Sequence, residues 1–258
     1  VDAAAMTGLG QCRLLRDPPG GGAWNMAVDE VLLERAAAEQ LASWRFYAWR
    51  EPTLSLGYFQ SYADRGQHAA SGSCPVVRRL TGGGAILHDA ELTYSVALPA
   101  EHPLAARRER LYGTVHAALV EALGALGIAA GLCQGAGRQP EPFLCFQRRA
   151  PGDVLVEGVK IAGSAQRRLR RAVLQHGSLL LRRSPAAPEL PGLEDLAGGP
   201  LADTLTGRWL DRLTGRLAAG WAVDRLRPDE LQRAALLAAD RYNAASWTQR
   251  QRGRVHSA

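Results

Sequence analysis

Lysine is almost missing from this chain: of its 31 basic residues one, Lys160, is lysine and the rest are arginine. Arginine offers a planar fork of donors, whereas lysine carries a compact ammonium on a flexible stem, so a lone lysine marks a position that wants a point charge. Cysteine is sparse as well. Cys12, Cys74, Cys133 and Cys145 are scattered, with neither the spacing of a metal knuckle nor the density of a disulfide scaffold, so any thiol that is not a buried apolar residue is a reactive one. No apolar run reaches the roughly 18 to 20 residues that span a bilayer. Val1 to Gly10 lacks the basic-then-apolar order of a signal peptide, and the expected location is cytoplasmic, without a membrane partner.

With 258 residues, 47% of them hydrophobic, the chain can bury a full core. A net charge of +6 and a pI near 9.5 point to acidic partners. The arginines concentrate in Arg107-Arg108-Glu109-Arg110, Arg148-Arg149, Arg167-Arg168-Leu169-Arg170-Arg171 and Arg182-Arg183. A nucleic-acid binder would interleave such residues with exposed stacking aromatics. Here the tryptophans fall mostly in expected core elements, so no nucleic-acid partner is expected.

Periodicity predicts a strand over Gln11 to Asp17, an amphipathic helix from Asn25 to about Gln40, and strands over Trp44 to Trp49, Pro52 to Gly57, Val76 to Leu80, Ala85 to His88 and Leu92 to Leu98. A long helix from Pro103 to about Leu126 ends at Gly127, and Gly131 to Pro142 is a loop. Strands return at Asp153 to Glu157, Val159 to Gln166 and Ala172 to Leu181. Residues 10–183 then form a catalytic core. Residues 184–258 supply a Pro/Gly-rich linker and helices near Asp203 to Ala219 and Asp229 to Ala239, packed on the same domain. Because strands and helices come in blocks, the class is α+β with a mixed sheet and flanking helices.

Two segments carry chemistry. In Arg79-Leu80-Thr81-Gly82-Gly83-Gly84-Ala85-Ile86-Leu87-His88-Asp89 three glycines free the backbone amides to face an anion or a carbonyl. No Gly-Lys-Ser/Thr follows and the next segment reads as a strand, so this is neither a P-loop nor a dinucleotide fingerprint. In Gly158-Val159-Lys160-Ile161-Ala162-Gly163-Ser164-Ala165-Gln166 alternation puts Lys160 and Ala162 on a face that presents to a cavity, with Val159 and Ile161 on the packing face. Gly163, Ser164 and Ala165 leave room for a ligand chain along the backbone. His176 and Ser178 share a face of the following strand by the same rule.

Together with Asn25-Met26-Ala27-Val28-Asp29-Glu30 and Pro52-Thr53-Leu54-Ser55-Leu56-Gly57-Tyr58-Phe59-Gln60, these segments resemble the lipoate-protein ligase and octanoyltransferase superfamily over roughly residues 10 to 183. The resemblance implies the catalytic fold of biotin and lipoate ligases, related to class II synthetases. It assigns Lys160 to the acyl carbonyl or acyl-adenylate, and makes Arg79, Gly82, Gly83, Gly84, His88, Gly163, Ser164, Ala165 and His176 the substrate-binding candidates. No metal ligand is implied. In Phe143-Leu144-Cys145-Phe146 the Cys-Phe pair resembles the octanoyltransferases that use a cysteine nucleophile, with Cys133 as a rival thiol outside any match. That branch implies an octanoyl-acyl carrier protein donor, a lipoyl-accepting protein such as glycine cleavage H protein or a lipoyl domain as acceptor, and no cofactor. The alternative is an ATP-dependent lipoate-protein ligase, with ATP and Mg, for which Cys145 is not needed. The tail after Ser184 is shorter than the accessory domain many ligases carry.

Overall fold

A computed structural model describes residues 9–135 and 142–250. Residues 1–8, most of the stretch scanned for a signal peptide, and 136–141, within the expected Gly131 to Pro142 loop, lie outside the described residues. In chain order come β1 (Gln11–Arg16), α1 (Gly22–Glu39), β2 (Ser43–Tyr47), β3 (Thr53–Leu56), β4 (Val76–Arg78), β5 (Ile86–His88) and β6 (Glu91–Pro99). They are followed by α2 (Arg108–Gly124), β7 (Ala130–Leu132), β8 (Val154–Val156), β9 (Val159–Arg168) and β10 (Ala172–Leu180). The remainder holds α3 (Leu193–Ala197), α4 (Ala202–Leu213), β11 (Gly220–Asp224), α5 (Pro228–Leu237) and α6 (Ala245–Thr248).

Eight strands form one sheet in the order β11-β1-β2-β6-β10-β9-β8-β7, and β4-β3-β5 form a smaller one. β1 runs parallel to both neighbours while the other pairs of the large sheet are antiparallel. The expected mixed α+β architecture is the one adopted.

Side-chain alternation divides the large sheet between two cores. On β2, Trp44 and Phe46 enter the core beneath α2 and α4, whereas Arg45 and Tyr47 reach Asp29 of α1. α2 buries Leu111, Val115, Ala118, Leu119 and Ala122, a single stripe at helical spacing. Trp44 stacks on Tyr94 at 5.0 Å and meets Trp209 of α4 edge-on at 5.5 Å, contacts worth about 0.5–1.5 kcal/mol each beyond the area they bury. The opposite face packs Leu15, Tyr47 and Leu174 against Met26, Val28 and Leu32 of α1. A third cluster, Leu54, Leu56, Ala85, Leu87, Phe143 and Leu144, joins the smaller sheet to the segment that carries Cys145.

Several boundaries depart from the sequence reading. The long helix begins at Arg108 because Arg107 is extended; Pro103–Ala105 forms a separate 3-10 turn, with His102 accepting from the Leu104 amide. β7 occupies the start of the expected loop. The tail holds a strand as well as helices: β11 pairs with β1, and Arg13 clamps it through Asp224 and Glu230, both at 2.7 Å. Its side chains are largely exposed, and its residues fall in the gap between the two helices expected there. No helix among the described residues is long and apolar enough to cross a membrane.

Candidate active site

Cys145 is held by the glycine loop. Ala85 donates its amide to Phe143 O at 3.0 Å, the Cys145 amide donates to Ala85 O at 2.7 Å, and a single 3-10 turn follows through Gln147. Of the four cysteines, Cys12, Cys74 and Cys133 are buried and Cys145 is partly exposed. Burial pushes the Cys12 thiol up to about 12 and raises Cys74 as well, which suits inert packing residues. Cys133, the rival thiol, instead uses its backbone to fix the turn before β8: its amide donates to Asp153 O and its carbonyl accepts from Gly152, both at 2.8 Å.

Lys160 is 5% exposed, and a buried ammonium needs a counter-charge. Asp153 supplies it at 2.8 Å. The same Nζ lies 3.4 Å from Cys145 O, 3.7 Å from Cys145 Sγ and 5.3 Å from the centre of the Phe146 ring. Asp153 also accepts from Tyr112 OH at 2.9 Å and from the Ala150 amide at 2.7 Å. Burial, with Asp153 beside it, raises the Tyr112 pKa and keeps the phenol a donor.

One turn further along α2, His116 Nδ1 lies 2.7 Å from Gly152 O. A carbonyl only accepts, so Nδ1 carries the hydrogen and Nε2 accepts from Ser164 Oγ at 2.6 Å. Ser164 then accepts from Tyr94 OH at 2.6 Å, and Tyr94 from Gln175 at 2.7 Å. Burial drives the His116 pKa from 6.5 to about 4, so the ring is neutral. Tyr112 and His116, on one face of α2, thus clamp the turn that holds the lysine's counter-ion.

Beside this pair lies a cleft lined by Cys145, Arg79, Gly82, Gly83, His88 and His176 among others. Gly163, Ser164, Ala165 and Ser178 form its sheet wall, and Met26 and Tyr47 its far end. Gly83, at φ +94°, sits in the region that favours glycine. Arg79 ties the loop together, donating to Ser55 O at 2.8 Å, Gly82 O at 3.1 Å and Gly84 O at 2.9 Å. Burial lowers its pKa to about 10, still charged at neutral pH.

Of the residues singled out from sequence, Gly84 borders an adjoining polar groove instead, with Gly83 and Phe143, and Lys160 stands behind the wall at Cys145. The face assignment along β9 needs correction. Val154 pairs with Ala162 but Leu155 with Lys160, a bulge, so Ile161 and Ala162 both enter the core beneath α2. Such an extra residue re-aims its neighbours. Simple alternation, which paired Ala162 with Lys160, fails there.

Sequence reasoning missed Asp153, Tyr112 and His116 around the lysine, and the roles of Asp29 and Glu91 beneath the cleft. For Asp153 a signal existed: a buried lysine demands a carboxylate, and Asp153 lies on the hairpin that carries Lys160.

A family model for the lipoyl protein ligase A/B catalytic domain matches residues 22–187. The octanoyltransferase LipM of Kyrpidia tusciae is 36% identical over 253 residues, covering 85% of this chain and 90% of that protein. That of Oceanobacillus iheyensis is 38% identical over 171 residues, 65% of this chain and 63% of that protein. A crystal structure of lipoate-protein ligase A bound with ATP superposes at a TM-score of 0.74 with 22% identity, covering 93% of this chain and 98% of that chain. Ta0514, a putative lipoate protein ligase from T. acidophilum with bound lipoic acid, gives 0.75 with 21% identity over 93% and 98%. At that identity the two structures bear on the fold alone. The chain therefore belongs to the lipoyl protein ligase A/B catalytic domain family, on the branch of the octanoyltransferase LipM relatives.

Proposed function

We propose that this enzyme moves an octanoyl group from acyl carrier protein, through a thioester on Cys145, to the lysine of a lipoyl-accepting protein such as glycine cleavage H protein or a lipoyl domain. The observation that carries the reading is the position of Cys145: the one cysteine of the four that is not buried, on the cleft wall, with Lys160 Nζ 3.7 Å from its Sγ. The Cys145 thiolate attacks the donor's thioester carbonyl. The bond from that carbon to the carrier's sulfur breaks, the carrier leaves as a thiol with the proton that Cys145 gave up, and the acyl group rests in a thioester of similar energy. The acceptor's amine then attacks, its proton passes to the departing Cys145 sulfur, and a stable amide forms.

The Lys160 ammonium, itself buried, stabilises negative charge on sulfur and on the carbonyl oxygen as it develops. Arg79 shapes the glycine loop that faces the carbonyl. The arginines at the β9–β10 turn, largely exposed, give acidic protein partners a surface to approach. Neither step needs ATP, because the acyl group arrives already activated. The octanoyltransferase relatives at 36–38% identity favour this reading over a ligase.

Intact-protein mass after mixing with octanoyl-acyl carrier protein, without ATP, tests it. The native chain is expected to gain one hydroxylamine-labile octanoyl group and Cys145→Ser none. A native chain that gains nothing, yet forms an amide on the acceptor when given lipoate and ATP, would be a ligase.

A further inference from the structure

Four neighbouring strands each place one residue in a row along the cleft. Ser178 of β10 pairs with Gly163 of β9 on one side and Thr93 of β6 on the other, and Thr93 pairs with Tyr47 of β2. All four line the cleft. Strands lie about 4.8 Å apart, so the row is about 14 Å long. It starts at Gly163, against the head of Lys160, and ends at Tyr47 over α1, a track of the right scale for a medium-length acyl chain.

The far half of this track is polar in composition yet turns no hydrogen toward the cleft. Thr93 and Ser178 both donate to Glu91 Oε1, the latter at 2.9 Å. His88 Nδ1 lies 2.7 Å from the same oxygen. Since a carboxylate oxygen accepts, Nδ1 carries the ring hydrogen, and Nε2 accepts at 2.6 Å from Ser55 Oγ, which itself receives Arg79. Burial lowers the His88 pKa against the upward pull of Glu91, in keeping with a neutral ring bearing one hydrogen. Tyr47 OH and His176 Nδ1 turn in the same way to Asp29 Oδ2, at 2.9 and 3.0 Å. Two buried carboxylates therefore hold the hydrogens of five polar wall residues.

We propose that Glu91 is a positioning residue that sets acyl selectivity: by holding the hydrogens of His88, Thr93 and Ser178 away from the cleft, it admits an unsubstituted medium-length acyl chain and rejects one with a carbonyl near its far end. The inference rests on the acyl-transfer reading above. A ligand carbonyl carried there gives up its hydrogen bonds to water and meets no hydrogen from His88, Thr93, Ser178, Tyr47 or His176 in return. Glu91 Oε2 is buried without a hydrogen-bond partner. In Glu91→Leu the shared acceptor is gone, and the hydrogens of His88, Thr93 and Ser178 are free to turn to the cleft.

The experiment offers native enzyme octanoyl- and 7-oxooctanoyl-acyl carrier protein in competition, with each adduct on Cys145 followed by intact mass. The native chain is expected to prefer octanoyl by roughly 30-fold, the scale of one unmatched buried carbonyl, and Glu91→Leu to fall within about threefold of parity. A preference that Glu91→Leu leaves intact overturns the inference while acyl transfer stands. A native chain that takes no octanoyl group overturns both. Ring nitrogen NMR of native His88 supplies a readout independent of the variant: the Nδ1–H form is expected, and an Nε2–H form overturns the assignment.

Discussion

The two ends of the cleft each contain a buried carboxylate, but they use it in opposite ways. At the reacting end Asp153 balances a full positive charge, Lys160 at 2.8 Å. At the far end the hydrogen bonds to Glu91 come from an imidazole and two hydroxyls. The reacting end is also local in sequence, since Cys145, Asp153, Lys160 and Gly163 belong to one segment and its hairpin. The far end draws on α1, β2, β5, β6 and β10. Asp153, with a cation beside it, serves the chemistry, whereas Glu91, with neutral donors around it, organises hydrogens.

Neutralising each carboxylate breaks the comparison most directly. Asp153→Asn leaves the Lys160 ammonium buried without a counter-charge, and removing one partner of such a pair costs about 3–5 kcal/mol. The hydrogen bonds that Glu91→Gln weakens come from neutral groups, and it is expected to cost less than half as much. Urea denaturation of the two variants measures the difference, and equal losses would mean that the Asp153–Lys160 pair is not the charged keystone of its end.

Acid sharpens the contrast. His116, which fixes the Asp153 turn, has a folded pKa of about 4 against an ordinary 6.5. Between those values the unfolded chain binds a proton that the folded chain refuses, so stability rises with pH across the window. The contribution is intact above about pH 6.5 and is lost as the pH falls toward 4, by about 3 kcal/mol in all. His116→Asn retains a short donor for Gly152 O without a titrating ring, and its urea midpoint is expected to vary less over pH 4–6.5 than that of the native chain. Parallel pH profiles would exclude His116 as the source.

The same division governs what could be read in advance. The glycine loop, Lys160 and Cys145 lie in compact segments whose residue types announce their chemistry, and the resemblance of those segments carried the fold as well. Asp29 and Glu91 sat in plain view within quoted or neighbouring stretches, but their role depends on which strands come to lie side by side. Tyr47, Thr93 and Ser178 meet only because β2, β6 and β10 are adjacent, and alternation along one strand says nothing about its neighbours. The bulge at Lys160 escaped for a related reason: it is a property of the pairing with β8. β11 stayed hidden because its five residues lie directly after a stretch read as helix to Ala219, and its pairing with β1 joins opposite ends of the chain.

The smallest change falls at Gly163, within the reacting end. A Cβ at Gly163 would lie 2.7 Å from Lys160 Cε and 3.0 Å from both Lys160 Nζ and Asp153 Oδ1. The nearest atoms belong to the flexible end of a lysine, so Gly163→Ala is accommodated by moving that head rather than the strands, and global stability is expected to change by less than about 1 kcal/mol. Displacing the ammonium from Cys145 Sγ removes charge stabilisation at the reacting atoms, for which a tenfold loss in the rate of thioester formation, about 1.4 kcal/mol, is the expected scale. Because the far end is untouched, octanoyl should still exclude its 7-oxo analogue by the native ratio. A variant that loads at the native rate would show that the lysine head need not stand where it does, whereas one that loses selectivity along with rate would show that the two ends are not separable.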